Sequence, residues 1–434
     1  MTVLNSVVAF FRQFLNQPAF FLGLVALIGL VLQREKPVAV VKGTLRTVIG
    51  LLVFSAGSAI LIDGIAPINE MLQAGWGVAG VYPLSETAFA VAIEELSGWI
   101  VPAFAVGFIG HVALVRFLPR FQCVYLTAHI MLFISSMLVV GFHYGLGLTG
   151  APVIGLTAVL CAVYWTVMPQ WTYDAYARHL ADGKFTLGHH VHLSVALAGE
   201  IGRLVGRADE DADRMELPEV LTLFQDVTIN AAITLPLFFF AVGVAVGLPA
   251  VRQQAGDQAW WFYLLMQGLR FSAGLSVMLL GIQEFLGALV PAFEGWAERV
   301  IPGAIPGLDV PVFFPSSPVG MMLGFVGGAA GMFLVSVVLF FIESPLFVFP
   351  SLIAAVFEMG TVGVFANKRG GWKAALLAGF VGGILFSAGA FILQPVTAQL
   401  LAGTGAQYGS LDSAYIFGPF MWLLRWLGQG LGIR

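Results

Sequence analysis

LRTVIGLLVFSAGSAILIDGIAPINE (45–70) and LRFSAGLSVMLLGIQEFLGALVPAFE (269–294) carry the same pattern 224 residues apart. Leu45, Arg46, Gly50, Leu51, Val53, Gly57, Pro67 and Glu70 meet Leu269, Arg270, Gly274, Leu275, Val277, Gly281, Pro291 and Glu294 without a gap. Chance matching of Gly and Leu in greasy helices explains part of this. It does not explain the matched Arg, Pro and Glu. The same offset sets Leu84-Ser85 against Leu308-Asp309, so Ser85 and Asp309 read as equivalent positions on two broken segments.

Both copies sit in a chain built for lipid. Of 434 residues, 59% are hydrophobic and 10% charged, where soluble domains carry about 25% charged residues. A bilayer span takes about 20 mostly apolar residues. Such stretches fall at roughly 18–33, 44–66, 97–118, 121–143, 147–168, 226–248, 260–284, 318–342, 344–365, 371–394 and 413–432, about eleven in all, after an amphipathic helix over 1–16. The second copy lies five spans after the first. An odd step inverts it in the bilayer, which is the build of transporters that bind substrate at the repeat interface. The chain therefore reads as an all-helical integral membrane protein, a single unit over 1–434, with inverted repeats of about 18–217 and 218–434.

Basic residues set the orientation. Arg34, Lys36 and Lys42, then Arg116 and Arg120, then Arg178 to Arg214, then Lys368, Arg369 and Lys373 fall in alternate loops. Loops 144–150 and 395–412 hold no Lys or Arg. The positive-inside rule puts the N-terminus outside and the C-terminus in the cytoplasm. Net charge is −4 with no basic block, so nucleic acid is not an expected partner. Cys123 and Cys161 lie in apolar spans with no metal-ligand spacing. The N-terminus lacks a basic region before its first apolar stretch, unlike a cleavable signal.

Three segments break the pattern of simple spans: 75–96, 185–206 and the five-proline stretch 301–317. An apolar, Gly/Pro-broken segment is best placed as a re-entrant hairpin lining a cavity. These segments hold most of the ionisable groups at membrane depth, which are functional candidates by default. The candidates are Glu86, His129, His189, His190 and Asp309. Each has a plain alternative: His129 bonding a neighbouring helix, and Asp309 and Glu86 capping helix starts. The spacing puts His189 and His192 on one helix face. No carboxylate or thiol stands at ligand spacing beside them, so hydrogen bonding to a hydroxylated ligand is the better use than zinc. No phosphate loop, catalytic triad or cofactor motif is present, and an intramembrane enzyme has no residues to build on.

VKGTLRTVIGLLVFSAGSAIL (41–61), LTAHIM (126–131), FTLGHH (185–190), RVIPGAIPGLDVPVFFPSSP (299–318) and TVGVFANKRGGWKAAL (361–376) together resemble the ascorbate-type enzyme IIC permeases of the bacterial sugar phosphotransferase system. The likeness runs along almost the whole chain; the galactitol permeases look less similar. It implies an inner-membrane homodimer with eleven spans per protomer. It also implies a substrate-holding core domain, a V-shaped domain at the dimer contact, and elevator-type movement of one against the other. The substrate is phosphorylated on the cytoplasmic side from a phosphocysteine on a separate IIB protein, charged by IIA. No IIA or IIB module is seen here, so both are expected as separate partners, and 203–214 and 368–373 are plausible docking segments.

Carried over by position, the family's ligand contacts fall on Ser58, Ser85, Glu86, His129, Ile130, Met131, Leu132, Phe133, His189, His190 and Asp309. Three depart from the family's residues. Phe133 and His190 each stand where glutamine is expected, and Glu86 where tyrosine is. Ascorbate is an anion at neutral pH, and Glu86 with Asp309 would oppose it unless protonated or balanced by histidine. The expected function is inward transport of L-ascorbate or a related sugar acid, with another sugar or polyol left open by these departures. The alternative is a carrier of the same fold that works without phosphorylation, coupled to protons through Glu86 and the histidines.

Overall fold

A computed structural model describes residues 18–180, 183–207, 209–215, 223 and 227–432. The expected helix over 1–16 lies outside these residues, as do the side chains of Pro291 and Glu294.

Most of the chain is helical. Eight helices among the described residues are long and apolar enough to cross a membrane. They are carried by α2 (Pro37–Trp76), α3 (Ser85–Phe117), α4 (Ala128–Leu146), α5 (Ala151–Thr172), α7 (Val227–Val246), α9 (Trp260–Val300), α10 (Pro318–Phe341) and α11 (Gly360–Leu401). Shorter helices are α1 (Pro18–Leu32), α6 (His192–Val205), α8 (Leu248–Ala255) and α12 (Gly418–Gly430). On α2, Val38, Val41, Leu45, Ile49 and Leu52 stand exposed at helical spacing. In water that stripe would be an aggregation surface; against acyl chains it is at home. The protein is a multi-pass membrane protein.

The eighth span, Leu352–Leu401, is 50 residues long. As one straight helix it would run about 75 Å, far more than a bilayer's core of about 30 Å. It is broken at Gly371, whose φ of 76° only glycine takes without strain. Gly363 and Gly379 both pack their backbones on Gly324 of α10. Sixteen residues of straight helix would hold them about 24 Å apart, so the chain folds back at Gly371. A side chain at Gly324 or Gly379 would overlap backbone atoms.

Helices α2 and α9 cross along a second glycine-lined seam. Gly57 packs on the backbone of Met278, and Gly281 on that of Phe54. Gly50 packs on Phe285, and Gly274 on Leu61. Adding 224 to Gly57 and subtracting it from Met278 gives Gly281 and Phe54, the second contact with the partners exchanged. The seam is therefore reciprocal, as a two-fold contact is. Small residues at such crossings let helices approach where no hydrophobic drive exists between them.

The expected helical membrane architecture holds in the main, with short strands added among the helices. Two three-stranded parallel sheets lie among the helices. In one, β1 (Ala79–Pro83) runs between β5 (Leu346–Val348) and β6 (Ala406–Gln407), with Gly80 opposite Phe347 and Tyr82 opposite Ala406. In the other, β4 (Ile305–Leu308) runs between β2 (Cys123–Tyr125) and β3 (Thr186–Leu187), with Val124 opposite Pro306 and Leu187 opposite Leu308. Each sheet takes its central strand from one half of the chain and its outer strands from the other half. Segments 75–96, 185–206 and 301–317 each contain one of these strands. Backbone that leaves the helix at membrane depth must find partners within the protein, and the sheets supply them.

Candidate functional site

The six strands explain how distant residues meet. β1 leads into Ser85 and Glu86 at the start of α3. β2 leads into His129 at the start of α4, β3 into His189 and His190, and β4 into Asp309. β5 leads to Ile353 and Glu358, and β6 to Gly409. All these residues line one cavity of about 240 Å³, with Leu279, Ile282 and Gln283 of α9 completing the wall. The cavity thus sits at the carboxyl ends of parallel strands and at the amino ends of the helices that follow. Unpaired N–H groups and the positive helix dipoles gather at such a place.

Asp309 joins two of the histidines. Its Oδ2 lies 3.6 Å from His129 Nε2 and its Oδ1 3.8 Å from His189 Nε2. It also caps the turn that follows it, accepting from the Val310 N–H at 2.7 Å. One side chain thus caps a turn and lines the cavity. Ser85 Oγ donates to the Gly409 carbonyl at 3.0 Å, accepts from the Gly409 N–H at 3.1 Å, and lies 3.3 Å from His190 Nε2. Ser85 and Asp309, equivalent in the sequence, thus each hold a histidine of the same pair. His189 and His190 stack with ring centroids 4.6 Å apart. Glu86 makes no ion pair among the described residues, and the cavity wall holds no Lys or Arg.

The histidine cluster divides in two. Helix α6 begins only at His192, so His189 and His192 do not share a helix face as the spacing suggested. His192 turns to structure: its Nδ1 pairs with Thr172 Oγ1 at 2.6 Å. Its N–H and that of Leu193 donate to the Asp412 carboxylate at 3.1 and 2.7 Å. Tyr164 donates to the same carboxylate at 2.5 Å. Among the described residues, no group of three or more His, Cys, Asp or Glu is arranged to hold a metal ion.

Of the positions nominated from sequence, Ser85, Glu86, His129, Ile130, His189, His190 and Asp309 line the cavity. Met131 and Leu132 are buried in helix packing away from it. Phe133 stands behind the wall, its ring edge-on to His129 and His190 at 5.6 and 6.4 Å. Ser58 is buried on α2, its hydroxyl without a partner among the described residues, outside the lining. Sequence reasoning missed Gln283, Phe357 and Glu358. Their signals were faint: one amide on an apolar span, and one acid in AAVFEMG (354–360).

The fold is that of a multi-pass membrane protein whose partly open cavity gathers histidines and carboxylates, a lining suited to a small polar solute. The chain belongs to the sugar-specific permease component family of the phosphotransferase system (EIIC-GAT), which matches it over residues 13–412. It is 26% identical over 439 aligned residues to the ascorbate-specific EIIC component of Mycoplasma pneumoniae, an alignment covering 89% of this chain and 66% of the relative. The chain thus spans about two thirds of that relative's length.

Proposed function

We propose that this protein is the membrane-embedded IIC subunit of a phosphotransferase system, carrying L-ascorbate or a related sugar acid inward. The observation that carries the reading is the cavity at the amino ends of α3, α4 and the helix beginning at Leu352, where Asp309 faces His129 and His189. Helix amino ends offer an anion positive potential and N–H donors without a Lys or Arg. That supports an anionic ligand despite Glu86 and Asp309. The name of the Mycoplasma pneumoniae relative supports ascorbate over other sugars.

Several finer features belong to the same proposal. The chain forms two inverted repeats, about 18–217 and 218–434; the reciprocal glycine seam and the exchange of strands between sheets support it. It crosses the membrane eleven times, counting α1, α12 and both arms of the fold-back at Gly371 in addition to the other spans. The N-terminus is outside, the C-terminus in the cytoplasm, and the membrane is the bacterial inner membrane. The protein works as a homodimer with core and V-shaped domains that move in elevator fashion. Separate IIA and IIB proteins deliver the phosphate.

Glu86, an acid in the cavity with no ion-pair partner among the described residues, favours a second reading: a proton-coupled carrier that needs no phosphorylation. Proteoliposomes separate the two. With IIA, IIB and a phosphoryl donor supplied on the cytoplasmic side, labelled ascorbate should appear there only as its phosphate ester. Accumulation of unmodified ascorbate without donor, collapsed by an uncoupler, would establish the second reading instead.

A further inference from the structure

Glu358 is a buried carboxylate that no motif singled out. It sits in a single π-helical turn, Ala355–Met359, inside the helix that follows β5. Such a turn inserts an extra residue and re-aims side chains, and it recurs at functional sites. Here it turns Phe357 and Glu358 together toward the cavity. One carboxylate oxygen is fully engaged: Oε1 accepts from Ser194 Oγ at 2.5 Å and from the Leu411 N–H at 2.9 Å. Oε2 accepts from no donor among the described residues, and no cation pairs with the group. A carboxylate has acceptor sites on both oxygens, so Oε2 keeps accepting capacity for a ligand in the cavity.

We propose that Glu358 is a substrate-binding residue whose free Oε2 accepts a hydroxyl hydrogen of the bound sugar. The proposal rests on the sugar-permease reading above and names a contact within it. The anchoring of Oε1 fixes the plane of the carboxylate, so Oε2 is held in place before the ligand arrives. Ser194 follows the His189-His190 turn and Leu411 follows Gly409, so the same carboxylate ties together the two segments that hold Ser85. A ligand hydroxyl on Oε2 is thereby read against a rigid frame. This contact selects for a hydroxyl at one ligand position, whatever the charge of the rest of the molecule.

The test is Glu358→Gln, whose Oε1 still accepts from Ser194 and Leu411 while the other oxygen becomes an amide donor. Equilibrium binding would be measured for ascorbate, a sugar acid and a hexitol, each with a monodeoxy analogue series, alongside the ligand-free melting temperature. The expected result is an unchanged melting temperature and binding weakened by about tenfold to a hundredfold, the cost of leaving one buried hydrogen-bonding group unpaired. One deoxy analogue should lose affinity for the wild type and lose nothing further on the variant. Wild-type affinity and wild-type discrimination in Glu358→Gln overturn the proposal and leave the permease reading standing. A variant that melts early and loses all ligands equally marks Glu358 as a structural tie only, which also overturns it. A wild type that binds none of the compounds overturns both this contact and the sugar reading.

Discussion

His129 and Asp309 are 180 positions apart in the sequence, yet their Nε2 and Oδ2 atoms stand 3.6 Å apart at the edge of the central cavity. They follow paired strands: His129 comes four residues after β2 and Asp309 one residue after β4. Parallel pairing of β2 with β4 is therefore what brings the imidazole to the carboxylate.

Asp309→Asn separates the two jobs of this side chain. The amide oxygen can still accept from the Val310 N–H, so the turn should keep its cap. The carboxylate facing His129 and His189 becomes an amide, and a ligand hydrogen bond to a charged group is worth about 1.5–3 kcal/mol. Expected is a melting temperature close to wild type with ascorbate affinity lowered at least about tenfold. Titration calorimetry with differential scanning fluorimetry would check both halves.

Asp412 should behave in the opposite way. It is fully buried and accepts from His192 N–H, Leu193 N–H and Tyr164 Oη without lining the cavity. Asp412→Ala strands two backbone donors and a phenol, each worth about 1–3 kcal/mol when buried and unpaired. Loss of folded, monodisperse protein in detergent is expected. Tyr164→Phe, which removes one donor, should cost only about 1 kcal/mol.

Gly379→Leu tests the fold-back. The new side chain would collide with the Gly324 backbone across the α10–α11 seam. Overpacking of this kind costs about 1–3 kcal/mol or more. Thermal unfolding in detergent should show it, while Gly98→Leu, where open space surrounds the Cβ position, should not.

The charged segment 207–214 supplies a pH prediction. Asp211 feels partial burial, which pushes its carboxyl up. Hydrogen bonds from the Asp213 N–H and the Asn367 amide, with the Lys368 ammonium 3.5 Å away, outweigh it and hold the group below the ordinary 3.8. A carboxyl depressed in the folded state stabilises above its unfolded value and loses that contribution as pH falls through the folded one. Limited proteolysis at 207–214 should therefore rise only on acidification below about pH 4. In Asp211→Asn it should be high at neutral pH and flat.

The sequence exposed the parts of this protein that repeat over long stretches. Apolar spans show in hydropathy because lipid tolerates few charges. The break at Gly371 falls in a basic loop, NKRGG (367–371), where spans are expected to end. His129, His189 and Asp309 stood out because ionisable groups are rare at that depth. The sheets stayed hidden because strands of two to five residues carry no period to read. Glu358 stayed hidden because only the π-turn aims it inward, and no pattern in AAVFEMG announces that turn. His192 was grouped with its neighbours because sequence spacing could not show that the helix starts at that residue.

The most direct measurement is ligand binding to the purified protein, with ascorbate set against neutral polyols and other sugar acids, for wild type and Asp309→Asn. The account predicts saturable ascorbate binding that falls at least about tenfold in the variant while the fold holds. Binding of a neutral polyol with no affinity for ascorbate, or ascorbate binding untouched by Asp309→Asn, would contradict it.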